Sequence, residues 1–210
     1  TGDDEMTGGA GNDRFLVDSA GDRTFDSAGN DTVISSFAGG AYLLDDGIEN
    51  LFLAVGSADL GGEGNALANT ITGNSGNNKL AGREGNDSIV GGLGSDSLEG
   101  DAGNDTLDAG VSGAELMIGG TGNDLYFVRA VSTIVTETST LAGEIDTVNA
   151  TVSWVLGANV ENLILTDVSP INGDGNALAN AITGNSAVNL LRGFDGNDTL
   201  NGGASADNMD

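Results

Sequence analysis

The chain repeats itself every nine residues, and that period constrains its fold more than any other feature. From 73 to 108 it reads GNSGNNKLA, GREGNDSIV, GGLGSDSLE and GDAGNDTLD. A ten-residue variant, AGVSGAELMI (109–118), and then GGTGNDLYF (119–127) complete the run. The frame is Gly-Gly-x-Gly-x-Asp-x-U-x, with U a large apolar residue. It also fits GGAGNDRFL (8–16), preceded by the partial unit GDDEMT (2–7), and GFDGNDTLN (193–201) with GGASADNMD (202–210). A unit this short cannot bury its own apolar residue, so like must stack on like.

In a helix, the Gly residues that open each unit would cost on the order of 1 kcal/mol each. They suit a tight turn at positive φ instead. The last three residues, x-U-x, read as a very short strand with one buried face. Turn plus strand, strictly repeated, predicts an all-β, parallel β-solenoid. Two units make one coil of 18 residues, and each coil advances the axis by about 4.8 Å. Stacking then puts Leu80, Leu98 and Met117 in one sheet and Ile89, Leu107 and Tyr126 in the other. Their side chains form a thin apolar core between the sheets.

The same stacking aligns acidic residues. Asp87, Asp105 and Asp124 form one column, and Asn78, Asp96 and Glu115 the other. Carboxylates one strand spacing apart repel unless a cation lies between them. Calcium suits such a site, because it takes 6–8 oxygen ligands at about 2.3–2.6 Å, carboxylates and backbone carbonyls alike. Magnesium demands stricter octahedral geometry and keeps its waters. Zinc and copper lack their usual N or S ligands in a chain with no Cys and no His. Asp is also an ordinary turn residue, and one isolated G-x-G-x-D would mean nothing. The serial recurrence of the frame carries the reading.

Four units place Asn where the others have Asp: GNALANTIT (64–72), GNSGNNKLA (73–81), GNALANAIT (175–183) and GNSAVNLLR (184–192). Asn side chains can hydrogen-bond along a solenoid without an ion, so these units are expected to hold no metal or to bind it weakly. A longer period lies on top. Gly8, Asp13, Asn69, Gly73 and Asp87 recur 111 residues on as Gly119, Asp124, Asn180, Gly184 and Asp198. Asp31-Thr32-Val33 returns as Asp146-Thr147-Val148, and Glu49-Asn50-Leu51 as Glu161-Asn162-Leu163. The chain reads as nearly two copies of one module, starting and stopping inside Gly-rich blocks like a slice of a longer repetitive protein.

Composition removes other function classes. With 32 acidic against 6 basic residues and a net charge of -26, the composition argues against nucleic acid and anionic membranes as partners, since phosphate binding needs clustered Lys and Arg. No apolar run is long enough for a membrane span. The absence of Cys and His excludes a disulfide framework, thiolate zinc, haem ligation and a Ser-His-Asp triad. The repeat accounts for nearly every Asp, and Lys79, the one Lys, occupies a variable repeat place. No catalytic constellation is left, and no enzyme activity is expected.

These motifs resemble the RTX (repeats-in-toxin) calcium-binding β-roll of secreted haemolysins, proteases, lipases, epimerase accessory modules and large bacterial adhesins. The resemblance implies a right-handed parallel roll that folds on binding several Ca²⁺ ions and belongs to proteins exported by type I secretion. The location implied is extracellular or at the bacterial cell surface. In that family each ion lies between one turn and the turn two units later. The first turn gives the carbonyls of its second and fourth residues and its Asp, and the other gives those of its first and third residues and its Asp. Carried onto this chain, one site is Arg83, Gly85, Asp87, Gly100, Ala102 and Asp105. The next is Asp101, Gly103, Asp105, Gly119, Thr121 and Asp124. A third sets Gly92, Gly94 and Asp96 against Glu115, whose unit departs from the pattern by an extra residue. Asp4, Asp13, Asp198 and Asp207 sit in truncated blocks with incomplete partners.

The resulting division is a truncated calcium-type block (1–16), a strand-rich spacer (17–63), an Asn-type then calcium-type block (64–127), a second spacer (128–174) and a final truncated block (175–210), as one continuous solenoid. Spacer strands are expected at Thr32–Ser35, Tyr42–Leu44, Leu51–Ala54, Thr133–Thr136, Thr147–Val155 and Leu163–Thr166. Asp18, Asp22 and Asp31 read as turn residues, and Tyr42 and Trp154 as core residues. The leading function is a calcium-dependent structural repeat. The alternative is a calcium-dependent module for cell-surface polysaccharide, with only two Tyr and one Trp to stack on sugars. Exposed coil ends would favour end-to-end self-association.

Overall fold

The computed structural model describes residues 2–56 and 58–210. Thr1, which opens the first block, and Ser57, within the first spacer, lie outside the described residues. Among the described residues none is helical, and every strand pairing is parallel. The architecture is the β-solenoid that the nine-residue frame requires.

Successive strands alternate between two faces. Every second strand, from Arg14–Val17 to Thr199–Asn201, joins one continuous 11-stranded sheet. The opposite face is three separate sheets. Two strands, Glu5–Thr7 and Arg23–Phe25, form the first. Six strands, from Ala41–Leu43 to Ile134–Thr136, form the second. Four strands, from Trp154–Val155 to Asn208–Met209, form the third.

The core lies between these faces as two stacked files. Leu80, Leu98 and Met117 pair in register on one face, and Ile89, Leu107 and Tyr126 on the other. All six are buried. Each buried Leu or Ile contributes roughly 1.5–3 kcal/mol, which is what a coil with one inward residue per side has to work with. Tyr42 is buried in the same core, and Trp154 packs partly buried against it.

The structure corrects two strand expectations. The run Thr147–Val155 is two strands, not one. Thr147–Ala150 belongs to the long sheet and Trp154–Val155 to the opposite face. A continuous β-prone run hides the corner that carries the chain across the core. Strands of the central block also outlast x-U-x on one face. Lys79–Glu84, Ser97–Ala102 and Leu116–Thr121 each run three residues into the next turn, because those turn residues keep pairing from coil to coil.

The long sheet tolerates uneven coils. The hydrogen bonds joining neighbouring coils along it span 18 residues at most steps, but 22 between Asp124 and Asp146 and 15 between Asp146 and Glu161. The insertions and deletions of the spacers are therefore absorbed at the corners and on the interrupted face.

Candidate metal centre

Each strand of the long sheet is preceded by an acidic residue or Asn, and these residues form a column. In the central block the backbone N–H of Asn69 donates to Asp87 Oδ1 at 2.7 Å. Asp87 N–H donates to Asp105 Oδ1 at 2.7 Å, and Asp105 N–H to Asp124 Oδ1 at 2.8 Å. A second column behaves alike on the other face: Asn78 N–H donates to Asp96 Oδ1, and Asp96 N–H to Glu115 Oε2, both at 2.8 Å. Glu115 reaches the column despite its extra residue, because its longer side chain makes up the difference.

One oxygen of each carboxylate is thus used. The other is not. Asp87, Asp96, Asp105 and Asp124 each keep a buried Oδ2 with no hydrogen-bond partner, and Glu115 keeps a buried Oε1. These residues are at most 3% exposed. A buried carboxylate oxygen without a donor is costly, and five of them are aligned within one block.

The turns beside them have a consistent backbone. The second and fourth residues of a unit take positive φ: Arg83 and Gly85, Gly92 and Gly94, Asp101 and Gly103, Gly120 and Gly122. Arg83 at 82° and Asp101 at 72° do so without being Gly. This conformation directs the carbonyls of the second and fourth residues toward the turn one coil on. A Cβ on Gly103 would collide with Gly85 O, one on Gly120 with Asp101 O, one on Gly110 with Gly92 O, and one on Gly113 with Gly94 O. Carbonyls of the first residues face the opposite way. Gly100 O lies 2.8 Å from the Cβ position of Gly82, and Gly119 O lies 2.6 Å from that of Gly100.

The structure therefore gathers Gly85, Asp87, Gly100 and Asp105 around one turn pair, and Gly103, Asp105, Gly119 and Asp124 around the next. Arg83 lies in register with Asp101, and its guanidinium turns away to pair with Glu63 at 2.8 Å. The carbonyls of the third residues are partly engaged: Ala102 O accepts Gly85 N–H, and Thr121 O accepts Gly103 N–H, each at 2.9 Å. In the outer blocks Asp198 and Asp207 accept from Asn180 and Asn189 N–H. Asp4 N–H donates to Asp22, and Asp13 N–H to Asp31.

Those last two bonds correct the reading of the spacer acids. Asp31, fully buried, is a column residue and not a turn residue, with its own unpartnered Oδ2. Asp22 does both jobs, accepting Asp4 N–H with Oδ1 and the turn N–H groups of Asp18 and Ser19 with Oδ2. Glu49, Asp146 and Glu161 extend the same column through the spacers. The signal was present in sequence, since each of these acids stands immediately before a strand as the repeat Asp does.

The Asn units fill the same places with amide hydrogen bonds. Asn69 Oδ1 accepts Asn65 N–H at 2.8 Å, and its Nδ2 donates to the carbonyls of Ile48 and Glu49. Asn78 repeats the arrangement with Asn74 N–H and Leu60 O. Amide donors satisfy carbonyls that a carboxylate could only face across a cation.

Electrostatics report the same strain. Burial pushes the carboxyls of Asp87 and Asp105 up to about 6, against the lowering effect of the N–H each accepts. Asp124 and Asp146 rise to about 7, with burial the largest cause and neighbouring carboxylates adding to it. Burial also raises Asp96 and Glu115. A donor set of carboxylate and carbonyl oxygens alone, with no nitrogen or sulfur, fits a hard divalent cation.

Comparison with known families agrees. The profile of the RTX calcium-binding nonapeptide repeat matches residues 1–24, 63–98, 82–111, 109–125 and 174–209, more than half of the chain. A search of curated proteins finds no match.

Proposed function

The chain belongs to the RTX calcium-binding nonapeptide repeat family and is a calcium-binding, non-catalytic structural repeat; from that premise we propose that it binds several Ca²⁺ ions between successive turns and folds as it does so. The observation that carries this reading is the file of buried carboxylate oxygens without partners at Asp87, Asp105 and Asp124 and at Asp96 and Glu115. One ion takes Arg83, Gly85, Asp87, Gly100, Ala102 and Asp105, and the next takes Asp101, Gly103, Asp105, Gly119, Thr121 and Asp124. A third sits between Gly92, Gly94, Asp96 and Glu115. The third-residue carbonyls at Ala102 and Thr121 retain a second lone pair for this after their backbone bond.

Ions bind the fold and not the extended chain, so binding free energy becomes folding free energy. Export of an unfolded chain followed by folding in calcium-rich surroundings outside the cell is the use this linkage supports. The blocks 1–16, 64–127 and 175–210 are then the ion-loaded parts of one solenoid, with the spacers carrying it between them. Addition of further coils at a free sheet edge would extend the same parallel ladder to another copy. Polysaccharide recognition has less support, because Tyr42 and Tyr126 are buried and Trp154 packs on the core. Circular dichroism in EDTA and then in excess Ca²⁺ tests the proposal. A disordered spectrum converting to β is expected, and a fully β spectrum in both would sink it.

A further inference from the structure

We propose that the outer surface of the 11-stranded sheet is a face on which two copies of this chain pair, sheet to sheet, with their solenoid axes antiparallel. Charge singles this face out. The chain carries a net charge of -26, yet the strands of this sheet contain only two charged residues, Arg14 and Asp108. Asp108 is neutralised by Arg129, whose Nε donates to its Oδ1 at 3.1 Å. That guanidinium lies over the Phe127 ring, 5.6 Å from its centroid. The six-stranded sheet of the opposite face, with fewer strands, contains Glu63, Lys79, Arg83, Glu84, Glu99 and Asp101.

Side chains alternate along a strand, so the long sheet presents two outward columns on either side of its buried file. One column opens with Arg14, Thr32, Asn50, Thr70, Ser88 and Thr106 in register, a polar run. The other opens with Leu16, Ile34 and Phe52 in register and takes up Val90, Phe127 and Ile164 further along. Leu16, Phe52 and Ile164 are exposed in the single chain. An apolar column on an uncharged face, in a chain otherwise rich in acid, is the mark of a contact surface.

Charge also chooses the occupant. Two chains of this net charge that meet through their turns or their other sheets set acid against acid, and like charges repel. The neutral face is where a second copy can approach, while a cationic partner would be drawn to the other surfaces. At strand spacing the face measures about 50 Å by about 10 Å. Two such faces in contact bury about 1,000 Å² in total, the size at which a weak specific interface begins. A two-fold axis along the strand direction lays the apolar column on its counterpart and sets the first strand against the last. Phe52 of one copy then faces Ile164 of the other, and Val90 faces Phe127. A two-fold axis along the solenoid would lay the apolar column on the polar one, with Leu16 on Arg14. The pair is closed, unlike a stack of coil ends, which can grow.

Sedimentation of the whole chain in saturating Ca²⁺ tests this. A β spectrum recorded for each protein tells a failure to fold from a failure to pair. The parent is expected to form a concentration-dependent dimer that tightens with added salt, because screening weakens the repulsion between the acidic rims. Phe52→Lys and Ile164→Asp should each weaken pairing by about tenfold or more, since each buries an unpaired charge. Both changes in one chain should restore most of it, because the new charges meet across the interface. Leu43→Asp, at an exposed apolar place on the six-stranded sheet, should leave pairing unchanged. A folded parent that stays monomeric overturns the proposal, as do a dimer indifferent to Phe52→Lys and Ile164→Asp, a double variant no tighter than either, and an equal loss in Leu43→Asp. Oligomers that lengthen without limit overturn it in favour of end stacking. A monomer that binds a neutral polysaccharide, and loses it in Phe52→Lys, overturns the second copy as the occupant.

Discussion

At the scale of single residues, a carboxylate and an amide at the same place in the repeat give opposite dependences on solution conditions. Asp87, Asp105, Asp124 and Asp146 have folded pKa values of about 6 to 7 against 3.8 for the free side chain. The fold therefore favours the protonated form. In the ion-free chain this contribution is fully present below about pH 4 and is lost as pH rises through about 6 to 7. Titration in EDTA, followed by circular dichroism, should show β structure gained on acidification. In calcium the order reverses, since protons and ions compete for the same oxygens, and the calcium midpoint should rise as pH falls. Asp105→Asn should flatten both responses and stabilise the ion-free fold by on the order of 1 kcal/mol. Gly103 makes a sterner case. Its φ of 144° and the carbonyl of Gly85 in the path of any Cβ predict that Gly103→Ala costs roughly 3 kcal/mol or more, read as a higher calcium midpoint. The need for Gly at such places was legible in sequence. The positive φ at Arg83 and Asp101 was not, because neither residue type announces it.

At the scale of the strand, register is fixed by the single inward residue of each x-U-x. Leu98 lies between Leu80 and Met117 on its own face, so Leu98→Ala opens a cavity that two neighbouring coils share. A loss of about 2–5 kcal/mol is expected, seen by denaturant melts in saturating calcium. Melts unchanged within about 0.5 kcal/mol would contradict the core described here. The alternation in Thr32–Ser35 was readable because Val33 and Ser35 point inward on a strand of unbroken period. The corner inside Thr147–Val155 was not, because Thr151 and Val152 are β-branched strand formers and no Gly or Pro marks the bend there. The acids before spacer strands were passed over for a related reason. Glu161 has little of the Gly frame around it, and Asp31 keeps only Gly29 of that frame, so the place of each before a strand was the one signal left, and stacking shows that they belong to the column.

At the scale of the molecule, a net charge of -26 is distributed by the fold in two ways. Part is solvated, and part is drawn into two files where like charges stand a coil apart. The nine-residue frame made the second part visible in sequence for the central block, and the 111-residue period extended it to the outer blocks. What no composition could show is that the two faces differ, one sheet running unbroken while the other stops twice. In mechanical terms the solenoid is a strip that is continuous along one edge and notched along the other. Such a strip is expected to bend more easily at its notches than between them, and the two notches fall one module apart. Bending stiffness would then be set at two points, and a chain of many modules would behave as stiff segments joined by hinges at regular intervals.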